Sequence, residues 1–221
     1  MCGRFSFAVN EKIIEEHYGF LPQEYKPRYN CAPGQTLAVI TNIGNPAFNY
    51  YRWGLIPFWA QNASLGQKLI NAKAETLTEK PAFKYSFSYQ RCLIPADSFY
   101  EWSQDKMKTP YRIFIKNFPV FSMAGIWSEW KNENNMIYSF AVITTEANEF
   151  IKPIHNRTPL IFATKDEELK WLSGEVQDAL FLLINNSPIH LESYPVSKLI
   201  NVAGNDSEAL HKQVSEDGKL F

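Results

Sequence analysis

The middle of the chain is a succession of short segments rich in β-branched and aromatic residues, and this pattern constrains the fold more than any other feature of the sequence. Polar residues or connections containing Pro and Gly separate the segments, as expected for strands joined by turns. The segments are Leu37–Thr41, Phe48–Tyr51, Arg91–Ile94, Phe99–Trp102, Tyr111–Ile115, Phe121–Ile126 and Tyr138–Ile143. The first two flank Gly44-Asn45-Pro46 and predict a β-hairpin. We therefore expect an α+β fold whose core is an antiparallel β-sheet or barrel.

Helix signals lie near the two ends of the chain and in short insertions, so the helices should be short and peripheral. Asn10 is placed to cap a helix that ends at Gly19. Thr164 begins a capping box, and the helix that it opens is predicted to end at Gly174. A further helical segment is expected over Thr145–Phe150.

Composition and charge narrow the class of protein. The 221 residues are 45% apolar and carry a formal net charge of −1, and a chain of this length buries a core without needing disulfides or metals. No apolar run approaches the ~18 residues of a membrane span, which excludes a transmembrane protein. No internal repeat or linker divides the sequence, so we expect one domain over residues 1–221, with a polar, disorder-prone tail from about residue 204. The near-zero charge means that a nucleic-acid partner has to be identified from local features.

The cysteines and the N-terminus indicate a reducing compartment and an unusual reactive group. Three cysteines without a C-x-x-C pair favour the cytoplasm over a disulfide framework or a zinc knuckle. Met1-Cys2-Gly3 does not begin a secretory signal, so we expect the N-terminus to be part of the fold. Removal of Met1 would give Cys2 an α-amine, with an ordinary pKa of about 8, beside a thiol with a pKa of about 8.5. The alternative is that Cys2 is a small buried apolar residue.

Three polar side chains in unusual settings are candidates for catalysis. Glu101 interrupts an aromatic strand; in a dry cleft its pKa would rise and it could transfer protons, whereas the alternative is an exposed carboxylate. His155 lies in a loop bracketed by prolines, where a catalytic histidine and a surface histidine fit equally. Asn71 begins a stretch of small residues, and its amide could hold a hydroxyl or ring oxygen or cap a helix.

Two further groups of residues bear on nucleic-acid binding. The aromatic residues of Trp53–Trp59 can stack unpaired bases or form a buried cluster. Basic residues spread along the chain can form a local phosphate-binding surface or remain scattered, solvated charges. They are Arg4, Arg52, Lys73, Lys84, Arg91 and Arg157.

These residues fall within a series of motifs that resembles the SOS-response-associated peptidase family, whose SRAP domain covalently traps abasic sites in single-stranded DNA. The matching motifs are Met1–Phe5, Tyr29-Asn30 with Ala32-Pro33, Trp53–Pro57, Asn71–Thr76, Arg91–Asp97 with Phe99–Trp102, Ala124–Trp127, His155–Pro159, Tyr194–Ser197 and Asn201. The resemblance covers residues 2 to about 207 in the family's order. It departs at Lys73, where the family often has Arg, and at Thr158, where it usually has Met. Both departures bear on DNA contacts more than on chemistry.

The resemblance implies a mechanism and a set of roles. Cys2, freed by removal of Met1, would form a thiazolidine with the aldehyde of an open abasic sugar. The implied roles are catalysis for Cys2, Asn71, Glu101 and His155, and DNA binding for Arg4, Lys73, Trp102 and Arg157. The implied partner is single-stranded DNA containing abasic sites, bound by a monomer in the cytoplasm at the nucleoid, without a metal, a cofactor or a membrane. Self-processing peptidase activity, which is a hydrolase reaction, and weak lyase activity by β-elimination are also implied.

Two other functions fit parts of the sequence. An N-terminal-nucleophile amidohydrolase of the class II glutamine amidotransferase type also begins with Cys followed by Gly, although the Arg-His-Arg-Gly type of glutaminase signature is missing. A non-catalytic module that binds single-stranded DNA would account for the aromatic and basic residues. It would leave Cys2, Asn71, Glu101 and His155 unexplained.

Overall fold

A computed structural model describes residues 2–41, 43, 46–185 and 189–215 of the chain. The strands in chain order are β1 (Phe5–Phe7), β2 (Arg28–Cys31), β3 (Thr36–Thr41), β4 (Ala47–Trp53), β5 (Asn71–Lys73), β6 (Arg91–Ala96), β7 (Ser98–Trp102), β8 (Pro110–Ile115), β9 (Phe121–Lys131), β10 (Met136–Glu146), β11 (Arg157–Pro159), β12 (Ile161–Phe162) and β13 (Leu191–Pro195). The α-helices are α1 (Glu11–Tyr18), α2 (Pro81–Tyr89), α3 (Lys165–Ser173) and α4 (Val176–Ile184). Short 3₁₀ helices cover Ala63–Lys68, Ala74–Thr76, Lys198–Asn201 and Glu208–His211.

The strands form two sheets. The first has the order β13-β8-β7-β1-β2 and is antiparallel throughout. In the second, β10, β4, β3, β6 and β9 are neighbours in that order, and β9 pairs again with β10, so that five strands close into a barrel. β10 pairs in parallel with β4 and with β5, while the other pairings of the described strands are antiparallel. The predicted α+β fold with an antiparallel sheet or barrel core is confirmed.

Local sequence signals set the ends of two helices as predicted. The Asn10 side chain accepts a backbone N–H of α1, and Gly19 ends that helix with a φ of 82°, a left-handed conformation that glycine adopts without strain. Thr164 and Glu167 form the capping box of α3, and Gly174 follows its last turn. Each signal acts within a few residues, so neither depends on the rest of the fold.

Between these helices, one prediction is confirmed and another is wrong. β3 and β4 form the expected hairpin, and Gly44 and Asn45 of its connection lie outside the described residues. The helix predicted over Thr145–Phe150 is absent, because its first two residues extend β10 and pair with β11. Pairing with a neighbouring strand satisfies the backbone of these residues, whereas a single isolated helical turn is costly to nucleate.

Residues 204–215 pack against the first sheet and do not form the loose tail expected from their polarity. Leu210 and Val214 are buried, and Leu210 packs with Tyr100 of β7. The Asp206 carboxylate accepts the backbone N–H of Asn30 at 3.1 Å. Two buried apolar side chains and one carboxylate therefore dock this polar stretch. The remainder of the predicted tail, residues 216–221, lies outside the described residues.

Two apolar cores lie on opposite faces of the barrel strands. Along β10, Phe140 and Val142 enter the core between the two sheets, whereas Ala141 and Ile143 enter the core beneath α2, α3 and α4. This alternation follows from the two-residue period of a strand. The aromatic string that begins at Trp53 is divided, since Trp53 is buried while Phe58 and Trp59 are exposed. No helix within the described ranges is long and apolar enough to cross a membrane.

Arg91 is a structural residue, and its interpretation as a phosphate ligand is wrong. It lies at the start of β6, is 5% exposed, and reaches into the helical layer. Its guanidinium donates to the carbonyl oxygens of Trp171 at 2.6 Å, Phe87 at 3.1 Å and Ser88 at 3.3 Å, and to that of Gly174. Arg91 thus joins the C-terminal ends of α2 and α3 to the barrel.

Candidate active site

Cys2 lies directly ahead of β1 and is fully buried between the two sheets. Its Sγ is 3.7 Å from the carbonyl oxygen of Arg4. Burial, and then the negative charge of nearby Glu101, raise the pKa of the Cys2 thiol. The thiol is therefore protonated at neutral pH in this state of the chain, and its use as a nucleophile requires a proton acceptor.

Asn71 is directed at Cys2 by the strand that carries it. β5 pairs in parallel with β10, Asn71 opposite Val142, and the next residue, Ala72, is buried in the helical core on the other face. The Asn71 Nδ2 donates to the Cys2 carbonyl oxygen at 2.8 Å. Its Oδ1 is buried and has no hydrogen-bond partner among the described residues. The alternative of a helix cap is wrong, because Asn71 lies within β5, the N-cap position of the following 3₁₀ helix is Lys73, and the Asn71 amide donates to Cys2.

Glu101 is a buried acid in the same space. It is 3% exposed and follows Phe99 of the inter-sheet core by two residues in β7, so both side chains share one strand face. Burial raises the pKa of Glu101 to about 7. The alternative of an exposed carboxylate is wrong, and the carboxyl is able to donate and accept protons at neutral pH.

His155 stands at the edge of this cluster. Its Nδ1 lies 3.8 Å from Glu101 Oε1 and accepts the backbone N–H of Arg157 at 3.0 Å. Acceptance at Nδ1 assigns the proton of the neutral ring to Nε2. Partial burial, as the largest cause, lowers the pKa of His155, which favours this neutral form. The structure therefore brings together all four residues predicted to be catalytic; Cys2 and Glu101 are buried, and Asn71 and His155 are partly buried.

The residues predicted to bind DNA are placed less uniformly. Lys73 ends β5 and is exposed, and its backbone pairs with Thr144 of β10. Arg4 is half-buried next to Cys2, and its Nη1 donates to the Gly3 carbonyl at 2.9 Å. Both positions border the Cys2 cluster, so they are available for contacts with a ligand bound there.

Trp102 and Arg157 have protein partners that the sequence did not reveal. Trp102 lies on the opposite face of β7 from Glu101, and its Nε1 donates to Asn201 Oδ1 at 2.8 Å. The Arg157 guanidinium forms a two-pronged ion pair with Glu75, at 2.6 and 2.9 Å. Glu75 lies in the motif Asn71–Thr76, but the sequence assigned Glu75 no role. The parallel pairing of β5 with β10 brings Glu75 beside Arg157, and this pairing has no signature in the sequence.

Comparison with protein families identifies the class to which this fold and site belong. The family model described as SOS response associated peptidase (SRAP) matches residues 1–203. The chain belongs to the SRAP family.

Relatives from distant organisms share most of the chain. Abasic site processing protein YoaM of Bacillus subtilis (strain 168) is 42% identical over 221 residues, which cover 95% of this chain and 97% of that protein. Abasic site processing protein HMCES of Xenopus tropicalis is 31% identical over 222 residues, which cover 83% of this chain and 65% of that protein. A crystal structure of a protein from Bacteroides thetaiotaomicron superposes with a TM-score of 0.84 at 25% identity, covering 97% of this chain and 100% of the other.

Proposed function

We propose that the protein traps abasic sites in single-stranded DNA as a thiazolidine crosslink through Cys2, once Met1 has been removed, and so protects the site during the response to DNA damage. Two relatives are named for abasic site processing, which supports DNA with abasic sites as the substrate. The observation that carries the proposal is the junction of Asn71 and Cys2, 2.8 Å from amide nitrogen to carbonyl oxygen, beside the buried Glu101. A merely structural cysteine requires neither of these polar neighbours.

The chemistry needs two nucleophiles on one residue. The α-amine of Cys2 adds to the aldehyde of the open abasic sugar, and loss of one water gives an imine. Because an acid supplies the proton that leaves with the hydroxyl, this imine keeps its N–H and is protonated. The Cys2 sulfur then bonds to the former aldehyde carbon, and the thiol proton returns to the conjugate base of that acid, closing a five-membered ring that retains the N–H. Ring closure is favoured because sulfur and imine belong to the same residue, a setting in which effective molarities reach on the order of 10⁵ M or more.

Glu101 supplies both proton transfers of this sequence. With a pKa raised to about 7 by burial, its protonated form is available to protonate the departing hydroxyl as water. The carboxylate that remains is a suitable acceptor for the proton of the thiol, whose pKa is also raised by burial. One carboxyl therefore serves as acid in the first half of the reaction and as base in the second.

Asn71 and His155 orient the sugar and assist proton transfer. The Asn71 Nδ2 holds the Cys2 carbonyl, and its Oδ1, buried without a partner among the described residues, is free to accept a hydroxyl of the open sugar. The neutral His155 accepts the Arg157 N–H at Nδ1 and carries its own proton at Nε2, and this Nε2–H is the proposed donor to the sugar or a phosphate. Arg4, Lys73, Trp102 and Arg157 remain the proposed DNA contacts.

Further parts of the proposal concern processing, side reactions and setting. Release of Met1 by the protein itself accounts for the peptidase in the family name, and the imine provides a route to weak lyase activity by β-elimination. A monomer at the nucleoid is sufficient, since all four proposed catalytic residues belong to one chain. A net charge of −1 suits a protein whose persistence on DNA derives from a covalent bond.

The direct test is denaturing electrophoresis of the Met1-processed protein after incubation with a single-stranded oligonucleotide that carries one abasic site. We expect a retarded species that survives SDS. Cys2→Ala, and separately one extra residue ahead of Cys2, should abolish it while thermal melting shows an intact fold. The proposal fails if wild type gives no such species or if both variants give it in full. Hydrolysis of glutamine by wild type would favour the amidotransferase alternative.

Glu101→Gln tests the proton-transfer role. We expect crosslinking at saturating DNA to slow by roughly 10²-fold or more, since general acid–base catalysis typically contributes 10²–10⁴-fold. Single-turnover rates measured on gels give the comparison, with Glu129→Gln as the matched control because Glu129 is an exposed acid of strand β9. Rates equal to wild type would remove Glu101 from the mechanism.

A further inference from the structure

The ion pair between Glu75 and Arg157 occupies a place where DNA is proposed to bind. Arg157 Nη1 donates to Glu75 Oε1 at 2.6 Å, and Nη2 donates to Glu75 Oε2 at 2.9 Å. Nη2 also donates to the Thr144 carbonyl oxygen at 2.5 Å. The Arg157 side chain is 13% exposed, whereas that of Glu75 is 46% exposed. Both terminal nitrogens of Arg157 thus already have anionic or carbonyl partners.

Glu75 is charged at neutral pH and lies within a small charged cluster. The hydrogen bonds from Arg157, as the largest cause, lower the pKa of Glu75, and the positive charge of Lys73 acts in the same direction. The cluster therefore carries two positive charges and one negative charge. A phosphate that approaches Arg157 has to displace or share the Glu75 carboxylate, because a guanidinium binds a carboxylate and a phosphate through the same planar fork.

We propose that Glu75 is a specificity-determining residue: its carboxylate competes with DNA phosphates for Arg157 and keeps the affinity for intact single strands low. This inference rests on the proposed function. Weak binding to undamaged DNA leaves discrimination to the covalent step at Cys2, which only an aldehyde completes. Arg4 and Lys73 are proposed to strengthen the binding of any DNA sequence, whereas Glu75 is proposed to weaken it.

The test is the binding of an undamaged single-stranded oligonucleotide to Glu75→Gln, followed by fluorescence anisotropy across a series of NaCl concentrations. Glutamine keeps the shape of Glu75 and removes its charge. We expect affinity to rise about fivefold or more at low salt. The plot of log K against log salt should steepen by about 0.7, the value for one additional phosphate contact on a single strand.

Glu79→Gln is the matched control, since Glu79 is an exposed acid four residues further along the chain and the substitution changes net charge equally. It should leave the salt slope unchanged. Arg157→Met supplies the second comparison. In that background Glu75→Gln should change neither the affinity nor the salt slope, because the guanidinium for which Glu75 and a phosphate compete is absent. When undamaged oligonucleotide is added to the crosslinking reaction as a competitor, a lower concentration of it should halve crosslinking by Glu75→Gln than is needed to halve crosslinking by wild type.

Several results would overturn the inference. Weaker binding by Glu75→Gln would mean that Glu75 positions Arg157 for DNA. An effect equal to that of Glu79→Gln, or one that persists with Arg157→Met, would reduce it to a general charge effect. Absence of binding to intact DNA by both wild type and Glu75→Gln would also refute it. Absence of crosslinking alone would refute the proposed function. The inference about affinity would still be tested independently by the binding measurements.

Discussion

Two regions on opposite faces of the barrel each contain a buried charged residue, Arg91 in one and Glu101 in the other, and the surroundings of these two residues differ. In the helical layer, Arg91 is 5% exposed and its guanidinium is surrounded by four backbone carbonyls from α2, α3 and the residue after α3. Between the sheets, Glu101 is 3% exposed, its pKa is raised to about 7 by burial, and His155 Nδ1 lies 3.8 Å from its Oε1.

The difference separates a stabilising charge from a reactive one. Carbonyl groups at helix ends are fixed acceptors, and a cation that satisfies several of them holds those helices in place. A carboxyl whose ionised form is disfavoured by burial changes protonation state near neutral pH, which suits proton transfer and not stability. Burial of a charged residue therefore indicates function here only when its surroundings shift its pKa close to neutral pH, so that it can gain and lose a proton.

Of the substitutions that test this comparison, one at Arg91 is expected to have the largest effect, a loss of stability. Arg91→Met removes the cation and leaves several buried carbonyls without donors, so we expect the free energy of unfolding to fall by about 4 kcal/mol. The melting temperature should fall by roughly 10 °C. Crosslinking at room temperature by the fraction that remains folded should be unchanged. A loss below about 1 kcal/mol would contradict the structural role.

A somewhat smaller effect is expected at Glu101 and depends on pH. Because the pKa of this carboxyl is about 7 in the folded chain, against an ordinary value of 4.5, the folded chain binds the proton more tightly than the unfolded chain does. Stability should therefore fall as pH rises from about 4.5 to about 7 and stay low above that, by at most about 3 kcal/mol. Glu101→Gln should lack this fall. Urea denaturation of both proteins at about pH 5 and pH 8 gives the difference, and identical pH dependence would show that Glu101 titrates normally.

The smallest of these effects is expected at Asn71. Asn71→Leu retains the side-chain volume but loses the hydrogen bond to the Cys2 carbonyl and the free Oδ1, so crosslinking should slow about tenfold, equivalent to roughly 1.4 kcal/mol. Asn49→Leu is the control, because the Asn49 amide donates to Thr41 and Ala47 within the hairpin, away from Cys2. Equal rates for wild type and Asn71→Leu would reduce Asn71 to a strand residue.

Signals that act locally made much of the fold predictable. Asn10 and Thr164 cap their helices through residues three positions away, and the strands follow from runs of β-branched and aromatic residues. The error over Thr145–Phe150 arose where a distant partner, β11, offered the backbone a better alternative than a helical turn. Propensity in a short segment is easily overridden in this way.

The local settings of Cys2, Asn71, Glu101 and His155 left both functional and structural interpretations open, and the family resemblance favoured the functional ones, but neither predicted how the four residues are arranged. Spacing along the chain did not place Asn71 against Cys2, because the two meet only after β5 pairs in parallel with β10. Arg91 and Arg157 are equally basic in sequence, yet one is enclosed by carbonyls and the other is paired with Glu75. Such differences depend on long-range packing and carry no local signature.

The docking of residues 204–215 has a consequence for engineering the protein. Asp206 binds β2, β2 pairs with β1, and Cys2 lies directly ahead of β1, so the last described stretch of chain supports the first. Shortening the chain at residue 203, where the family match stops, would remove Asp206 and uncover Tyr100, the neighbour of Glu101 in β7. An affinity tag or fluorescent fusion is therefore best attached beyond residue 215. An N-terminal tag would block the proposed nucleophile, Cys2, and an earlier C-terminal fusion would loosen the strand that holds the proposed catalytic acid, Glu101.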